Sequence, residues 1–494
     1  MFKTHLIMKI ISILLVALLL GVAGHAQQML SLSGVIDQAQ KGSPSYYRAR
    51  SNALNSLYSF RYYVANRRPQ LRLTADNTSS FLGNISSIRQ PDGSYAFNKS
   101  YFSYTSAGLS LDQIVPFTGG TFSLETNLQR NDLFRPDTVS FLSTPFSIRY
   151  SQPMILYNPY KWEKKINPLM YEESTRRYVE DLERAALEAS SYFFDALTAR
   201  QNEVILQDNV SNTDTLYNIS KGRYELGKIA ENELLQIELS LLNARTQLER
   251  AQIDKQMAYR ELTRFLNMPK DANIDIIAPA TVPQFEVLME RAVSEASNNR
   301  QVVLEFRRRR IQAERDVAEA RGNNGYQFNL SANLGQSQNG ATIKDVYAGR
   351  ALQQNQLLQV GVSIPIVDWG RSRYRVKQAK ANAELVEIDV QQQERQFEQE
   401  VFLQTQLFNI QKKQLASAAK ADTIAQQRYE ITKQRYLIGK ISITDLNLAQ
   451  QEKNQASQGY IGALRSFWNA YYTVRVLTLY DFEKNDRILY QFEE

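Results

Sequence analysis

Residues 217–229 read YNISKGRYELGKI, and residues 429–441 read YEITKQRYLIGKI. The two stretches match without a gap at an offset of 212 residues, and the same offset relates Pro153 to Pro365. A register kept over such a distance indicates an internal duplication, and its period far exceeds the unit of a solenoid repeat. Each copy is therefore predicted to be half of one larger architecture.

The N-terminus has the pattern of a secretory signal peptide, which we predict to cover residues 1–26. Lys3 and Lys9 form its basic region, residues 10–20 its apolar region, and residues 24–26 a small-residue cleavage site. The alternative is a membrane anchor, which fits less well because the apolar run is short for a span.

The mature chain lacks the side chains that most catalytic and metal sites use. The only two histidines, His5 and His25, lie in the predicted signal peptide, and there is no cysteine. This excludes Ser-His-Asp and Cys-His catalysis, zinc sites with His or Cys ligands, and disulfides. Carboxylate chemistry remains possible, as in an exported hydrolase, but no paired-carboxylate motif stands out. We predict no enzyme, no metal and no cofactor. Losing Lys3 and Lys9 lowers the formal charge from +7 to +5, which does not indicate a nucleic-acid partner.

Six stretches alternate apolar and polar residues with the period of a β-strand. They lie within residues 71–76, 109–111, 122–129, 146–150, 328–334 and 358–364. Alternation gives each strand one apolar and one polar face. This fits a soluble sandwich, and it also fits an outer-membrane barrel whose apolar face meets lipid.

Two very long helices are predicted at about 159–224 and 371–436. In the first, Leu182, Ala186 and Phe193 follow the spacing of a coiled-coil seam; in the second, Phe397, Val401, Phe408 and Leu415 do so, with Gln404 and Gln411 filling the seam. More than 60 helical residues extend over about 100 Å.

Each long helix ends at a glycine of the repeated motif, Gly227 or Gly439, because glycine readily adopts the left-handed conformation that ends helices. A second long helix follows, over about 231–266 or 443–478. Each copy is thus predicted to be a helical hairpin with the motif at its tip.

Residues 33–68 and 285–322 are predicted to be helical as well. The run from Arg307 to Arg310 is interpreted as a solvated helix face, because Glu305 and Glu314 lie four residues from Arg309 and Arg310.

The duplication divides the mature chain into two structural repeats, residues 27–266 and 285–494, joined by a linker at 267–284. The hairpin tips are predicted at 224–234 and 436–446. The first repeat contains an extra hairpin at about 101–130, either as further strands of the sheet or as an appendage.

Strands followed by a long helical hairpin, twice, behind a signal peptide, resemble the TolC-type outer-membrane efflux protein family. Residues 223–234, RYELGKIAENEL, and 435–446, RYLIGKISITDL, are similar to the two hairpin tips of that family. Residues 363–370, SIPIVDWG, are similar to its passage from barrel strand to long helix. The resemblance implies an α+β membrane protein, with an outer-membrane β-barrel shared by a trimer and continued as a long periplasmic α-helical coiled-coil barrel.

The implied function is that of an exit duct in a tripartite efflux or type I secretion system. The implied partners are two further copies of the chain, a periplasmic adaptor protein, an inner-membrane pump and the lipids of the outer membrane. The implied location is the outer membrane, with an extension into the periplasm. An elongated coiled-coil structural or adhesion protein of the cell surface is the alternative.

The resemblance also implies roles for residues at the tips. Four positions match places where the adaptor docks: Gly227, Leu234, Gly439 and Leu446. Three others match the constriction: Tyr436, Asp445 and, opposite Asp445 in the first tip, Glu233. Simple packing and solvation are the alternatives for all of these residues.

Two features depart from the family pattern. The arginine that partners the gate tyrosine in the family falls at Ile441. Six strands per protomer would give 18 strands in a trimer, where two strands per half would give 12.

Overall fold

The structure is a computed structural model that describes residues 28–134, 137–270, 272–348, 352–438 and 440–490. The predicted signal peptide and Gly439 lie outside these residues. The chain forms two compact units. The helical unit contains Ser174–Gln301 with the segments up to Leu54 and from Arg395 onward, and the sheet unit contains Asn55–Glu173 and Val302–Glu394.

The strands, in chain order, are β1 (Gln28–Ser31), β2 (Gln70–Arg89), β3 (Tyr95–Val115), β4 (Gly120–Phe134), β5 (Asp137–Gln152), β6 (Ile274–Ile277), β7 (Gln327–Gly340), β8 (Gln353–Ser363), β9 (Tyr480–Asp481) and β10 (Asp486–Arg487). The helices are α1 (Leu32–Gly42), α2 (Pro44–Asn66), α3 (Pro159–Glu225), α4 (Glu231–Phe265), α5 (Met289–Asn299), α6 (Gln301–Gly322), α7 (Ile343–Tyr347), α8 (Arg371–Leu437) and α9 (Ile443–Thr478).

The sheet unit contains one antiparallel sheet in the order β2-β3-β4-β5-β7-β8. All six predicted strands are present, and each is embedded in this sheet. The extra hairpin of the first repeat corresponds to β3 and β4, which pair with each other and with β2 and β5. The hairpin therefore extends the sheet and is not an appendage.

One face of the sheet is apolar across its strands. Cross-strand pairing aligns five residues in a single row: Leu71, Leu111, Leu124, Ile148 and Leu334. All of them except the half-buried Ile148 are exposed. Soluble proteins rarely leave a contiguous apolar surface of this extent uncovered.

The opposite face of the sheet is polar and internally bonded. Arg149 forms an ion pair with Glu125 at 2.8 Å, and Ser123 donates to Asp112 at 2.6 Å. Ser147 donates to Asn333 at 2.6 Å. The two faces thus differ in chemistry, as strict alternation requires.

The coiled-coil seam predicted for α3 forms the core of the helical unit. Leu182, Ala186, Ala189, Phe193 and Ala196 are all buried. The seam of α8 is buried at Phe397, Val401, Phe408 and Leu415, as predicted. The polar residue fully enclosed there is Thr405, whose hydroxyl donates to the Val401 carbonyl at 2.7 Å.

The predicted helices at 33–68 and 285–322 are each interrupted once. Ser43 ends α1 in an extended conformation and caps α2 by accepting from the Tyr46 amide at 3.1 Å. Pro44, which has no amide hydrogen, suits the first position of α2. Between α5 and α6, Arg300 is extended. Both stretches are helical as predicted, and the sequence pattern did not reveal these two interruptions.

Two arginines of α6, Arg308 and Arg310, form ion pairs with other helices of the sheet unit. Arg308 contacts Glu173 of α3 at 2.7 Å, and both side chains are largely buried. Arg310 contacts Glu387 and Glu394 of α8 at 2.9 and 2.8 Å. The interpretation of a solvated face was therefore wrong for Arg308 and Arg310, because the i,i+4 spacing carries no information about carboxylates on neighbouring helices.

A buried charge cluster connects α3, α9 and the C-terminal segment within the helical unit. Arg475 donates to both oxygens of Glu183 at 2.8 and 3.1 Å and to Asp481 at 2.6 Å. Tyr490 donates to Glu183 at 2.5 Å. Burial opposes the charge of Arg475, but hydrogen bonds and attraction from Glu183 outweigh it and raise the pKa of Arg475.

The sequence patterns did not predict two short elements, the β1–β6 pair and helix α7. β1 pairs in parallel with β6 through Leu30 and Ile276, both buried, so the predicted linker supplies a strand. Helix α7 begins at a capping box formed by Thr342 and Asp345. Neither element is long enough to show a periodic pattern in the sequence.

Candidate functional site

The first hairpin tip ends α3 with a glycine in the left-handed conformation. Gly227 has φ +65° and is exposed. The Lys228 amide donates to the Arg223 carbonyl and the Gly227 amide to the Tyr224 carbonyl, both at 2.8 Å. This is the pair of bonds of a Schellman motif, and it satisfies carbonyls that a helix end otherwise leaves free.

The second tip repeats one of these bonds 212 residues later. The Lys440 amide donates to the Arg435 carbonyl at 3.0 Å. Gly439, which is predicted to hold this turn, lies outside the described residues. The tips differ at the next helix start, because Ser442 caps α9 with its side chain while Ala230 gives α4 no side-chain cap.

A tip cluster of buried side chains joins the two hairpins. It consists of Leu216 of α3, Ile237 of α4, Tyr429 and Tyr436 of α8, and Ile443, Leu446 and Ala449 of α9. Its members come from all four helices, so it fixes one hairpin against the other.

The predicted contact residues of the two tips are placed differently. Leu446 is fully buried in the tip cluster, whereas its counterpart Leu234 is only half-buried. Gly227 is exposed. Burial gives Leu446 a packing role, and its contact with a partner protein stays a prediction.

Tyr436 is buried and faces the first hairpin. Its hydroxyl lies 3.4 Å from the Ser220 hydroxyl, and the Arg223 guanidinium lies over its ring, 5.8 Å from the centroid. Arg223 also donates to the Leu437 carbonyl at 2.9 Å. Together these contacts form a latch between α3 and α8.

The sequence prediction did not single out Arg223. The family resemblance places the arginine that partners the gate tyrosine at position 441. Ile441 occupies this position and packs against the tip cluster. Arg223 belongs to the repeated motif itself, so its conservation between the two copies was the available signal.

Asp445 is exposed at the start of α9, where it completes a capping box. Its Oδ2 accepts from the Ser442 amide at 3.2 Å and from the Ser442 hydroxyl at 2.8 Å. A carboxylate here also interacts favourably with the positive end of the helix. Glu233 occupies the same position in α4 and is half-buried.

Tyr429 anchors the tip cluster and is almost fully buried. Burial raises the pKa of Tyr429 to about 12, with further contributions from Glu430 and Asp208. Lys453 lies over its ring at 4.8 Å. The phenol therefore stays neutral at physiological pH and acts as a packing group.

The described residues contain neither a metal-binding cluster nor a membrane-spanning helix. No cluster of three or more His, Asp or Glu side chains is arranged to hold a metal ion there. Among the same residues, no helix is long and apolar enough to cross a bilayer.

The fold is shared with solved outer-membrane channels. The CmeC outer membrane channel of Campylobacter jejuni superposes with a TM-score of 0.63 at 16% identity, covering 93% of this chain and 87% of that chain. For the open state of the Neisseria gonorrhoeae MtrE channel the TM-score is 0.61 at 14% identity, with 94% and 91% covered. A membrane protein from Pseudomonas aeruginosa gives 0.64 at 16% identity, with 90% of both chains covered. No curated protein sequence matches the chain.

A sheet with a polar and an apolar face, combined with paired helical hairpins, thus places the chain in the fold class of outer-membrane channels. The model of the family described as Outer membrane efflux protein matches residues 292–478, which include β7, β8 and the second tip. The match covers less than half of the chain, and it confirms the resemblance to TolC-type outer-membrane efflux proteins.

Proposed function

We propose that the protein is the outer-membrane exit duct of a tripartite efflux or type I secretion system. It receives substrates from an inner-membrane pump and a periplasmic adaptor, and it passes them to the exterior without catalysing a reaction. The division into two structural repeats, residues 27–266 and 285–494, is part of this proposal, and the matching Lys228 and Lys440 bonds support it.

The observation that carries the proposal is the exposed apolar face of the sheet. A single chain leaves Leu71, Leu111, Leu124 and Leu334 open to the surroundings. Burying such a row in hydrocarbon is favourable, because each square ångström of apolar surface removed from water contributes about 25 cal/mol. The polar face, with its ion pairs, then lines an aqueous lumen.

The two edges of the sheet support a homotrimer. β2 and β8 each have one neighbour in the sheet, and five successive antiparallel pairings make them run in opposite directions. In lipid, the unpaired backbone N–H and C=O groups of an edge strand cost too much free energy, so the sheet must close into a barrel. In our proposal β8 of each copy pairs with β2 of the next, and three six-stranded sheets form a barrel of 18 strands.

An unpartnered stripe on α8 also supports association between copies. It consists of exposed residues spaced in multiples of seven, Leu403, Ile410, Ile424 and Ile431, and the same spacing continues to Ile438 just beyond the helix end. A heptad spacing of apolar residues is the pattern of a coiled-coil seam. We propose that a helix of the neighbouring copy covers this stripe, which builds the periplasmic helical barrel.

The oligomer provides the direct test of the proposed function. Fractionation of cells should recover the protein with the outer membrane, and extraction should require detergent. We expect a trimer that dissociates on heating in denaturing gel electrophoresis. Recovery as a soluble monomer would rule out the duct and favour an elongated surface protein.

A charge placed on the apolar face is expected to impair insertion. Leu358 of β8 is 70% exposed on that face, and Gln359 beside it lies on the polar face. An arginine facing the bilayer midplane costs about 2–4 kcal/mol. Leu358→Arg should therefore lower the yield of membrane-inserted protein strongly, as measured by detergent-extractable trimer. Gln359→Arg adds the same charge on the lumen side, and it should insert normally. Equal yields for the two variants would contradict the assignment of the faces.

The tips are proposed to receive the adaptor, near Gly227 and Leu234 in the first hairpin and near Gly439 and Leu446 in the second. Leu226 of the first tip is also exposed, as are Leu235 and Leu239 on α4 just beyond it. Apolar side chains presented on a hairpin suit docking of a partner helix.

Asp445 is expected to favour cations at the constriction, with Tyr436 and Glu233 nearby in the proposed gate. Three symmetry-related carboxylates at a narrow mouth attract cations and repel anions. Asp445→Asn, which keeps a capping side chain, should shift the reversal potential in a KCl gradient toward zero. Asp422→Asn on α8 removes an equal charge far from the tip and serves as the control. An unchanged reversal potential in Asp445→Asn would remove Asp445 from this role.

A further inference from the structure

The end of the sheet that adjoins the helices forms a rim, defined here as residues 67–69, 116–119, 153–165, 323–326 and 364–377. Pairing of Gln70 with Asp112, Val115 with Gly120 and Gln327 with Ser363 brings the strand ends together at this side. The rim lies within the sheet unit.

The rim carries nine basic and two acidic residues. The basic residues are Arg67, Arg68, Lys161, Lys164, Lys165, Arg371, Arg373, Arg375 and Lys377, and all except Arg67 are exposed. Within the described residues, Lys161, Lys164 and Arg373 form no ion pair, so their charges are available to a partner.

The two acidic residues of the rim, Asp368 and Glu163, offset only part of this charge. Asp368 is engaged in capping α8, where it accepts from the Gly370 amide at 2.9 Å and the Ser372 amide at 3.1 Å. Glu163 is half-buried, and burial raises its pKa although Arg67 opposes the shift. The rim is therefore strongly positive.

Two aromatic side chains project from the rim into the surroundings. Phe117 is 94% exposed and Trp369 is 91% exposed. Trp369 has φ 53°, a conformation that is strained for a bulky residue and persists only where the surrounding structure imposes it. Backbone strain at an exposed aromatic residue suggests that this part of the rim is a binding surface.

The β3–β4 turn that presents Phe117 is fastened to the start of α3. Asn158 donates to the carbonyls of Pro116 and Phe117 at 2.8 and 3.0 Å, and it accepts from the Tyr160 amide at 3.0 Å. Phe117 and the exposed Lys161 are thus held on one rigid support.

We propose that the rim binds the headgroups of anionic phospholipids in the inner leaflet of the outer membrane. The inference rests on the proposed insertion of the sheet. The apolar face continues to the rim at Leu71 and Leu111, so the rim meets the bilayer at headgroup depth. Aromatic side chains are favoured at this depth, and each basic residue near an anionic surface adds to the attraction. A soluble polyanion would satisfy the charges but would leave Phe117 and Trp369 uncovered.

The test compares lipid retention by the full-length protein. Protein purified in a neutral detergent is mixed with equal amounts of phosphatidylglycerol and phosphatidylcholine, and bound lipids are counted by native mass spectrometry. We expect a clear preference for phosphatidylglycerol. Lys161→Gln/Lys164→Gln and, separately, Arg371→Gln/Arg373→Gln should each reduce this preference about tenfold. In 1 M salt the wild-type preference should also fall, because the Debye length shortens to about 3 Å.

The matched control is Lys413→Gln/Lys420→Gln, which removes two exposed charges from α8 outside the rim and should keep the preference. The charge-retaining variant Arg371→Lys/Arg373→Lys should keep it as well. Equal retention of both lipids by the wild-type protein, or an unchanged preference in both rim variants, would overturn the proposal. If the protein floats with vesicles and conducts ions, such a result concerns only the rim. Failure to float would instead contradict the proposed function.

Discussion

Replacing Arg475 by alanine is expected to lower the free energy of unfolding by about 3–5 kcal/mol, because removing one partner of a buried ion pair leaves the other charge uncompensated. Glu183 is 0% exposed, and Arg475 donates to both of its oxygens. Asp481 loses its ionic partner in the same substitution. The loss is measured by chemical denaturation of the detergent-solubilised protein, followed by circular dichroism.

The same two helices provide a matched control. Arg465 of α9 contacts Asp195 of α3 at 2.7 Å, but both side chains are substantially exposed. Exposed pairs contribute at most about 1 kcal/mol, so Arg465→Ala should be nearly neutral. Equal losses of unfolding free energy in Arg465→Ala and Arg475→Ala would show that burial does not determine the cost of breaking an ion pair here.

A double variant separates the effect of the unpaired charge from the effect of lost side-chain packing. Replacing both members of a buried pair by apolar residues is often tolerated, because no charge remains unpaired. Glu183→Leu/Arg475→Met removes the unpaired charge of Glu183, although Asp481 still loses its partner, so this variant should be more stable than Arg475→Ala. A double variant that is less stable than the single variant would contradict this explanation.

If the protein is the proposed channel, removing Arg223 is expected to loosen the closed state of its tips. Its hydrogen bond to the Leu437 carbonyl and its position over the Tyr436 ring join α3 to α8. A hydrogen bond and a cation–π contact together contribute about 1–2 kcal/mol. If the latch exists only in the closed state, Arg223→Ala should raise the ratio of open to closed channels roughly 5- to 30-fold. Single-channel recording in planar bilayers measures this ratio.

Arg245→Ala is the control for the latch. Arg245 of α4 contacts Asp214 of α3 at 3.0 Å, so this pair lies within the first hairpin and does not reach α8. Its loss should leave the open fraction unchanged. An Arg223→Ala channel that opens no more often than the wild type would exclude the latch. Tyr436→Phe, which removes only the hydroxyl near Ser220, should have a smaller effect than Arg223→Ala.

The long elements were predictable because each repeats its pattern many times. Strict alternation located all six strands of the sheet. Coiled-coil spacing identified α3 and α8, and the glycine motif placed their ends within one or two residues of those observed. The interruptions at Ser43 and Arg300 were missed, since a single extended residue barely alters the periodicity of its flanks. The short pairing of β1 with β6 depends on residues more than 240 positions apart, which local patterns do not report.

At the tips, the repeated motif located the turn at Gly227, because an exposed left-handed turn favours glycine locally. The motif did not distinguish Leu446, which is fully buried, from Leu234, which is half-buried, although the two occupy matching positions. Their surroundings differ because the tip cluster contains residues from all four helices. Its members within the two tips all come from the second tip, and Leu446 is one of them. The same applies to Arg223, whose partners lie more than 200 residues along the chain.

The order of residues alone therefore established the duplicated motif, the two-faced strands, the long helices, the absence of cysteine and the absence of histidine after residue 25. These features depend on neighbouring residues or on composition. Only the tertiary structure decided that the extra hairpin joins the sheet, that the arginines of α6 pair across helices, and that Arg223 reaches Tyr436. Each of these depends on contacts between segments that are far apart in the chain. The sequence around a charged or aromatic residue does not show which distant residue it contacts.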